Sequence, residues 1–229
     1  MIGVFDSGAG GIATARELRA AMPTADILFF RDRLGAPYGT KSKDELTRLV
    51  THDIKTLVDR GADKILMACC TASTVYRELD KPLRAISVPI IAPTAAAAVS
   101  ATKNGKIGVI ATKTTVCSHA FRSELHKLDP TLTVYEWQAQ PLVTLVEEGA
   151  RDGAITEREL KMITDSIREA KRSDIDTLIL GCTHFPLIEK TLATLLEGVK
   201  TVSSAREGAR AIGREYGHGR CIYLENKRR

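Results

Sequence analysis

No stretch of this 229-residue chain approaches the roughly 20 consecutive apolar residues that span a bilayer. Met1 to Phe5 run straight into Asp6, without the basic and long apolar regions of a secretory leader. The expectation is therefore a cytoplasmic protein with no membrane contact. No C-x-x-C pair occurs, and no histidine lies at zinc-finger spacing from a cysteine, so no metal site is expected. The cysteines number five (Cys69, Cys70, Cys117, Cys182 and Cys221), an odd count that argues against a disulfide framework. Each is then either a small buried hydrophobe or a reactive thiol. Gly3, Gly8, Gly10 and Gly11 do not form a G-x-G-x-x-G, and no lysine follows in P-loop position. A nucleotide cofactor is not expected. No long low-complexity linker occurs, so any two halves should pack closely.

What is present is ordinary for a globular protein: 44% hydrophobic and 27% charged residues, with length for one large domain or two small ones. The net charge of +5 owes much to Lys227-Arg228-Arg229, read as a solvated basic terminus. Such a balance permits contact with nucleic acid without requiring it. Short apolar runs alternate with helical patterns. Strands are expected at Ile2–Phe5, Ile27–Phe30, Lys64–Ala68, Val88–Ala92, Ile107–Ala111, Thr133–Trp137, Thr177–Leu180 and Lys200–Val202. Several are nearly continuous in apolar residues, as in strands covered on both faces of a parallel sheet. Ser42-Lys43-Asp44-Glu45 and Thr156-Glu157-Arg158-Glu159 carry capping-box spacing. The first precedes Leu46, Leu49, Val50, Ile54, Leu57 and Val58, and the second Leu160, Ile163, Ile167 and Ala170. Pro186 suits the first turn of a helix carrying Leu187, Leu192 and Leu195. The alternation means an α/β fold with parallel sheets.

An internal echo joins two places. Ile65-Leu66-Met67-Ala68 leads into Cys69-Cys70-Thr71, and Leu178-Ile179-Leu180-Gly181 leads into Cys182-Thr183. Each places a thiol at the carboxyl end of a strand, where open α/β sheets bind ligands. The Cys-Thr pair alone would align Cys70 with Cys182. A boundary is expected near Pro89–Pro93. Between strand and helix start, a helix dipole should lower a thiol's pKa. His184, next to Thr183, offers a proton partner. Cys117 and Cys221 are read as buried structural residues. Asp6 and Ser7, at a strand end before a glycine turn, read as part of a small polar pocket. Two opposed thiols without a cofactor suit one reaction type. One base removes an α-proton from an amino acid, and an acid on the other face returns one. Backbone N–H groups and the Ser7, Thr71 and Thr183 hydroxyls would stabilise the developing carboxylate charge.

These residues resemble the glutamate racemases of the aspartate/glutamate racemase superfamily. The resemblance rests on Gly3–Gly11, Pro37-Tyr38-Gly39, Ala68-Cys69-x-Thr71-Ala72-Ser73 and Leu180-Gly181-Cys182-Thr183-His184-Phe185-Pro186-Leu187-Ile188. Weaker matches are Ala92-Pro93, Gly108 to Thr112 with Thr115 and Ser118, and Leu145-Val146-Glu147. It implies two similar parallel-sheet α/β domains related by a pseudo-two-fold axis, with the active site in the cleft between them. They would be 1–92 plus a returning 205–229, and 93–204. It also implies cofactor-independent interconversion of L- and D-glutamate, supplying D-glutamate for peptidoglycan. By match, Cys69 acts on the D-enantiomer's proton and Cys182 on the L-enantiomer's, assisted by Asp6 and His184. Asp6, Ser7, Tyr38, Gly39, Cys70, Thr71, Thr183 and His184 match substrate-binding positions. The resemblance further implies a homodimer, and some members are associated with DNA gyrase. Three departures stand out: Cys70 replaces the family's asparagine, Gln140-Pro141 replaces a cysteine-proline pair, and the chain ends early after Cys221-Ile222-Tyr223-Leu224. Cys70 motivates the alternative of another acidic substrate such as aspartate. The positive charge and short end motivate a degenerate, non-catalytic member that binds protein or nucleic acid.

Overall fold

The structure is a computed structural model that describes residues 1–8, 10–213 and 217–226. Ala9 of the opening glycine motif and the basic tail 227–229 lie outside the described residues. Nine strands alternate with helices among those residues. The strands are β1 (Ile2–Asp6), β2 (Ile27–Arg31), β3 (Lys64–Met67), β4 (Ser87–Pro89), β5 (Lys106–Ala111), β6 (Thr133–Gln138), β7 (Thr177–Gly181), β8 (Lys200–Ser203) and β9 (Cys221–Glu225). The helices between β1 and β5 are α1 (Gly10–Ala21), α2 (Lys43–Val58), α3 (Cys70–Ser73), α4 (Lys81–Ile86) and α5 (Ile91–Ala101). Those between β5 and β7 are α6 (Lys113–Cys117), α7 (Ala120–Leu128), α8 (Gln140–Glu147), α9 (Glu157–Ser166) and α10 (Arg168–Arg172). Then follow α11 (Glu189–Leu195) and α12 (Ser204–Ala211).

Every strand pairing is parallel. One sheet has the order β4-β3-β1-β2-β9, the other β6-β5-β7-β8. Read from the opposite edge, the second is β8-β7-β5-β6, so β1 to β4 and β5 to β8 repeat one winding. The register makes the repeat residue-specific. Ile2 pairs with Lys64, and Ile107 with Thr177. Counting from these partners, Gly3 falls on Gly108, Ser7 on Thr112, and Cys69 on Cys182. The echo therefore aligns Cys69, not Cys70, with Cys182. The equivalent glycines share a cause. A Cβ on Gly3 would lie 2.7 Å from Ile65 Cδ1, and one on Gly108 would lie 2.6 Å from the Trp137 ring. Neither contact leaves room for a methyl group.

All of β1 and β7 is buried, and apart from Asp6 and Thr177 at their ends both are built of apolar residues and glycine. The largest core joins the two sheets. Ile2, Val4, Ile27 and Phe29 on one side and Ile107, Val109 and Ile179 on the other enclose Leu18 of α1, Ala95 and Ala98 of α5 and Ala209 of α12. A second core covers the outer side of the first sheet with Leu46, Val50, Ile54 and Leu57 of α2. A third covers the second sheet with Leu142, Leu145 and Val146 of α8, Ile163 and Leu192.

Local departures from the expected elements have local causes. The strand expected over Val88–Ala92 stops at Pro89, which has no N–H for a ladder, and α5 begins at Ile91. Pro93 sits in its first turn, where a missing N–H costs no helical bond. Thr156 forms a complete capping box with Glu159. Ser42 forms half of one: its hydroxyl accepts the Glu45 N–H, while the Glu45 carboxylate pairs with Lys41 at 2.7 Å. The helix expected to run from Thr156 through Ala170 breaks at Ile167 into α9 and α10. Leu160 and Val58, expected on buried faces, are exposed. Among the described residues no helix is long and apolar enough to cross a membrane.

Candidate active site

The carboxyl ends of the four central strands, β1, β3, β5 and β7, meet at one cavity of about 200 Å³. That is about the liquid volume of seven waters, the size class of a small metabolite. From β1 come Asp6, Ser7 and Gly8; from β3, Cys69 and Thr71; from β5, Thr112; from β7, Cys182, Thr183 and His184. The end of β2 adds Arg31, the turn after it adds Arg33 and Ala36 to Gly39, and α8 adds Gln140, Val143 and Glu147.

Asp6 is fully buried. Its Oδ1 accepts the Gly8 N–H at 2.9 Å and its Oδ2 accepts the Thr183 hydroxyl at 2.8 Å. The second bond ties the strand ends of the two sheets together. Burial raises the Asp6 pKa above its ordinary value, against the opposing pull of His184 and the two hydrogen bonds. Cys69 and Cys182 are each buried, with only a sliver of surface left toward the cavity. Burial pushes the Cys69 thiol up to about 12, and the charge of Asp6 adds to the rise. The N–H groups of Ala72 and Thr71 and the Ser7 hydroxyl pull the other way. Cys182 is likewise raised well above an ordinary thiol, by burial first. This corrects the expectation of thiols acidified by helix dipoles. Cys69 caps α3, which has only four residues, and the helical turn after Cys182 begins at Phe185. Desolvation outweighs such short dipoles.

His184 lies between Cys182 and Glu147. Its Nδ1 is 3.3 Å from Cys182 Sγ, and its Nε2 is 2.5 Å from Glu147 Oε1. A carboxylate at Nε2 favours the tautomer with its proton there, leaving Nδ1 free to accept from the thiol. Thr71 forms a hydroxyl triangle with Thr112 (2.9 Å) and Thr115 (3.1 Å), so the floor of the cavity is lined by rotatable donors. Gly39 is held by the Thr114 hydroxyl on its carbonyl at 2.7 Å, and a Cβ there would lie 2.9 Å from Gln140 Oε1.

Two expected site residues are placed differently from the rest. Tyr38 borders the cavity, but its hydroxyl turns away into the first half. There it contacts Asp32 Oδ2 at 2.6 Å and Asp53 Oδ2. Cys70 does not line the cavity. It occupies the first turn of α3 with its side chain in the core between the sheets, near the Ser204 hydroxyl. Its thiol nonetheless lies close enough to Cys182 to raise that thiol's pKa after burial itself. Cys117 and Cys221, expected to be buried, are exposed. Sequence reasoning missed Arg31, Arg33, Thr112 and Gln140 as cavity residues, and took Glu147 only as part of a motif. One signal was available: Gln140, Val143 and Glu147 recur at i, i+3 and i+7, a second face on a helix whose apolar face is Leu142, Leu145 and Val146.

Comparison with known proteins agrees with this arrangement. The family model described as Asp/Glu/Hydantoin racemase matches residues 13–212. A glutamate racemase of Geobacter metallireducens is 37% identical over 213 residues, covering 92% of this chain and 78% of that protein. One of Persephonella marina is 38% identical over 209 residues, covering 91% and 79%. Among solved structures, a glutamate racemase isoform of Bacillus anthracis superposes with a TM-score of 0.87 at 32% identity, covering 98% of this chain and 87% of that one. The Francisella tularensis glutamate racemase in complex with D-glutamate has a TM-score of 0.87 at 26% identity, covering 100% and 88%. With a family match across most of its length, and two thiols at equivalent strand ends in one cavity, the chain belongs to the Asp/Glu/Hydantoin racemase family.

Proposed function

We propose that this protein interconverts L- and D-glutamate by two-base proton transfer between Cys69 and Cys182, without a cofactor. The observation that carries the reading is the equivalence of the two thiols. The same strand register delivers both to one small cavity, from opposite halves of a repeated fold. A planar carbanion formed between them takes its proton back from either face. Cys69 removes the α-proton of the D-enantiomer and Cys182 that of the L-enantiomer, the other thiol donating in each case. Both thiols rest in the neutral form because burial disfavours the thiolate. The base is generated as its proton leaves. On the Cys182 side the acceptor is His184 Nδ1, backed by Glu147; on the Cys69 side the acceptor is the Asp6 carboxylate, whose hold on a proton is strengthened by burial. Ser7, Thr71 and the backbone at Gly39 and Thr183 supply donors for the substrate carboxylates, whose charge grows as the carbanion forms, while the Thr183 hydroxyl is given to Asp6.

The two bodies that frame the cavity are 1–92 with 205–229, and 93–204. β9 returns beside β2 in the first sheet, which supports that division. Supply of D-glutamate for peptidoglycan in the cytoplasm, and pairing of two copies, belong to the same reading. The alternative of an aspartate substrate rests on Cys70, a near neighbour of the Cys182 thiol. The test is α-proton exchange in D2O with each enantiomer of glutamate. Both should gain α-deuterium and converge on a racemic mixture. Folded protein that exchanges neither would sink the proposal.

A further inference from the structure

Arg31 ends β2. In the register of the first sheet it stands between Asp6 of β1 and Glu225 of β9. Its side chain is partly buried and borders the cavity. One guanidinium nitrogen, Nη2, donates to Glu147 Oε2 at 3.3 Å, and Nη1 lies 3.7 Å from Glu225 Oε1. Glu147 is thus held at both oxygens: Oε2 by Arg31 from the first half, and Oε1 by His184 from the second. A carboxylate anchored on one oxygen rotates; anchored on both, it presents a fixed acceptor to the imidazole. The contacts form an unbroken path, Glu225–Arg31–Glu147–His184–Cys182, from the edge strand of one sheet to the thiol of the other.

We propose that Arg31 is a positioning residue for the Cys182 half of the reaction, acting through Glu147 on His184. It does two things. Its fork keeps Glu147 turned so that Oε1 meets His184 Nε2, which leaves Nδ1 bare for the thiol proton. Its charge lies against Glu147, and through Glu147 it acts on the imidazole that exchanges a proton with Cys182. The inference rests on the reading of His184 as the proton partner of Cys182.

The experiment compares Arg31→Met, Arg31→Lys and His184→Gln with the unmodified enzyme, by kcat and by the pH profile of kcat/KM for both glutamate enantiomers. Arg31→Met should lower kcat on the order of tenfold to a hundredfold, the scale of a misplaced catalytic group. It should also move the acid limb of the profile to higher pH, because the imidazole that must be neutral to accept the Cys182 proton has lost an opposing positive charge. Arg31→Lys keeps the charge without the fork and should return the limb to its original position with kcat only partly recovered. A structural defect alone would lower kcat and leave the limb where it was. An Arg31→Met enzyme with an unmoved limb, or an Arg31→Lys enzyme indistinguishable from Arg31→Met, overturns the proposal. His184→Gln separates the two levels. If it leaves the profile unchanged, the reading of His184 fails; if it changes the profile while Arg31→Met does not, the role of Arg31 alone fails.

Discussion

Substituting Asp53 by asparagine should make this protein more stable at neutral pH, by an amount that grows with pH. Asp53 lies in α2 among Val50, Ile54 and Leu57, without solvent exposure. Its Oδ2 meets the Tyr38 hydroxyl, and its Oδ1 has no partner. Tyr38 has one proton and two acidic neighbours. Asp32 takes that proton, since it accepts on its other oxygen as well, from the Gly35 N–H at 2.9 Å and Asn226 Nδ2 at 2.6 Å. The short contact with Asp53 then needs a proton on Asp53, donated to the phenol oxygen. Burial and the charge of Asp32 both favour that neutral form and raise the Asp53 pKa well above 3.8. In the unfolded chain Asp53 ionises at its ordinary value. Between the two values the folded state holds a proton that the unfolded state has released, so rising pH favours unfolding. One such proton costs about 1.4 kcal/mol per pH unit. Asparagine donates an N–H to Tyr38 and has nothing to release. Its stability advantage over the parent should therefore widen by about 1.4 kcal/mol between pH 5 and pH 6, and continue until the folded pKa is passed. Asp6 and the thiols are common to both proteins and cancel in the difference. Urea unfolding at a series of pH values measures it. An advantage that stays constant from pH 5 to pH 6 would refute the shared-proton argument.

Further outcomes follow from the same geometry. L- and D-glutamate have equal free energies, so Cys69→Ser and Cys182→Ser must each lower kcat/KM by the same factor in both directions; progress curves from each enantiomer test this, and unequal factors would rule out simple racemisation. Cys70→Asn places an amide in the core between the sheets and should destabilise by about 1–3 kcal/mol while leaving KM for glutamate unchanged; a changed KM at intact stability would return Cys70 to the site. Thr183→Val removes the hydroxyl that bonds Asp6 and should lower kcat while preserving the fold, as read by circular dichroism and initial rates. Any attachment to DNA through the basic surface should weaken steeply between 50 and about 200 mM salt, and affinity insensitive to salt would exclude that mode.

Much of the fold was legible because both faces of each central strand are covered. Ile2 to Phe5 and Leu178 to Gly181 carry no polar side chain, and such runs, spaced by capped helices, leave few architectures open. The echo around the thiols was legible too, although its frame was not: the Cys-Thr pair alone aligned Cys70 with Cys182, and it took the family match and then the strand register to select Cys69. The wall of the cavity was less legible. Gln140 and Glu147 sit on a helix whose apolar face dominates its pattern, and Arg31 reads as the polar end of a strand. Their role comes from a meeting between halves that no local window contains. Tyr38 shows the same limit in reverse. Its motif marks the loop correctly, while the direction of its ring is set by Asp53, one helix away.

The repeated winding carries unrepeated chemistry. Where β1 ends in Asp6, the equivalent place at the end of β5 is Ala111, and where His184 follows Cys182, Thr71 follows Cys69. In the proposed reaction, a repeated scaffold thus meets two mirror-image substrates with different helpers. In that reaction, an enzyme that has just released D-glutamate holds its protons differently from one that has just released L-glutamate. With unlike neighbours at the two thiols, those two forms are unequal in energy. At high substrate concentration the enzyme must relax between them before each new turnover in the same direction, which makes that internal return a potential bottleneck written into the asymmetry of Asp6 and His184.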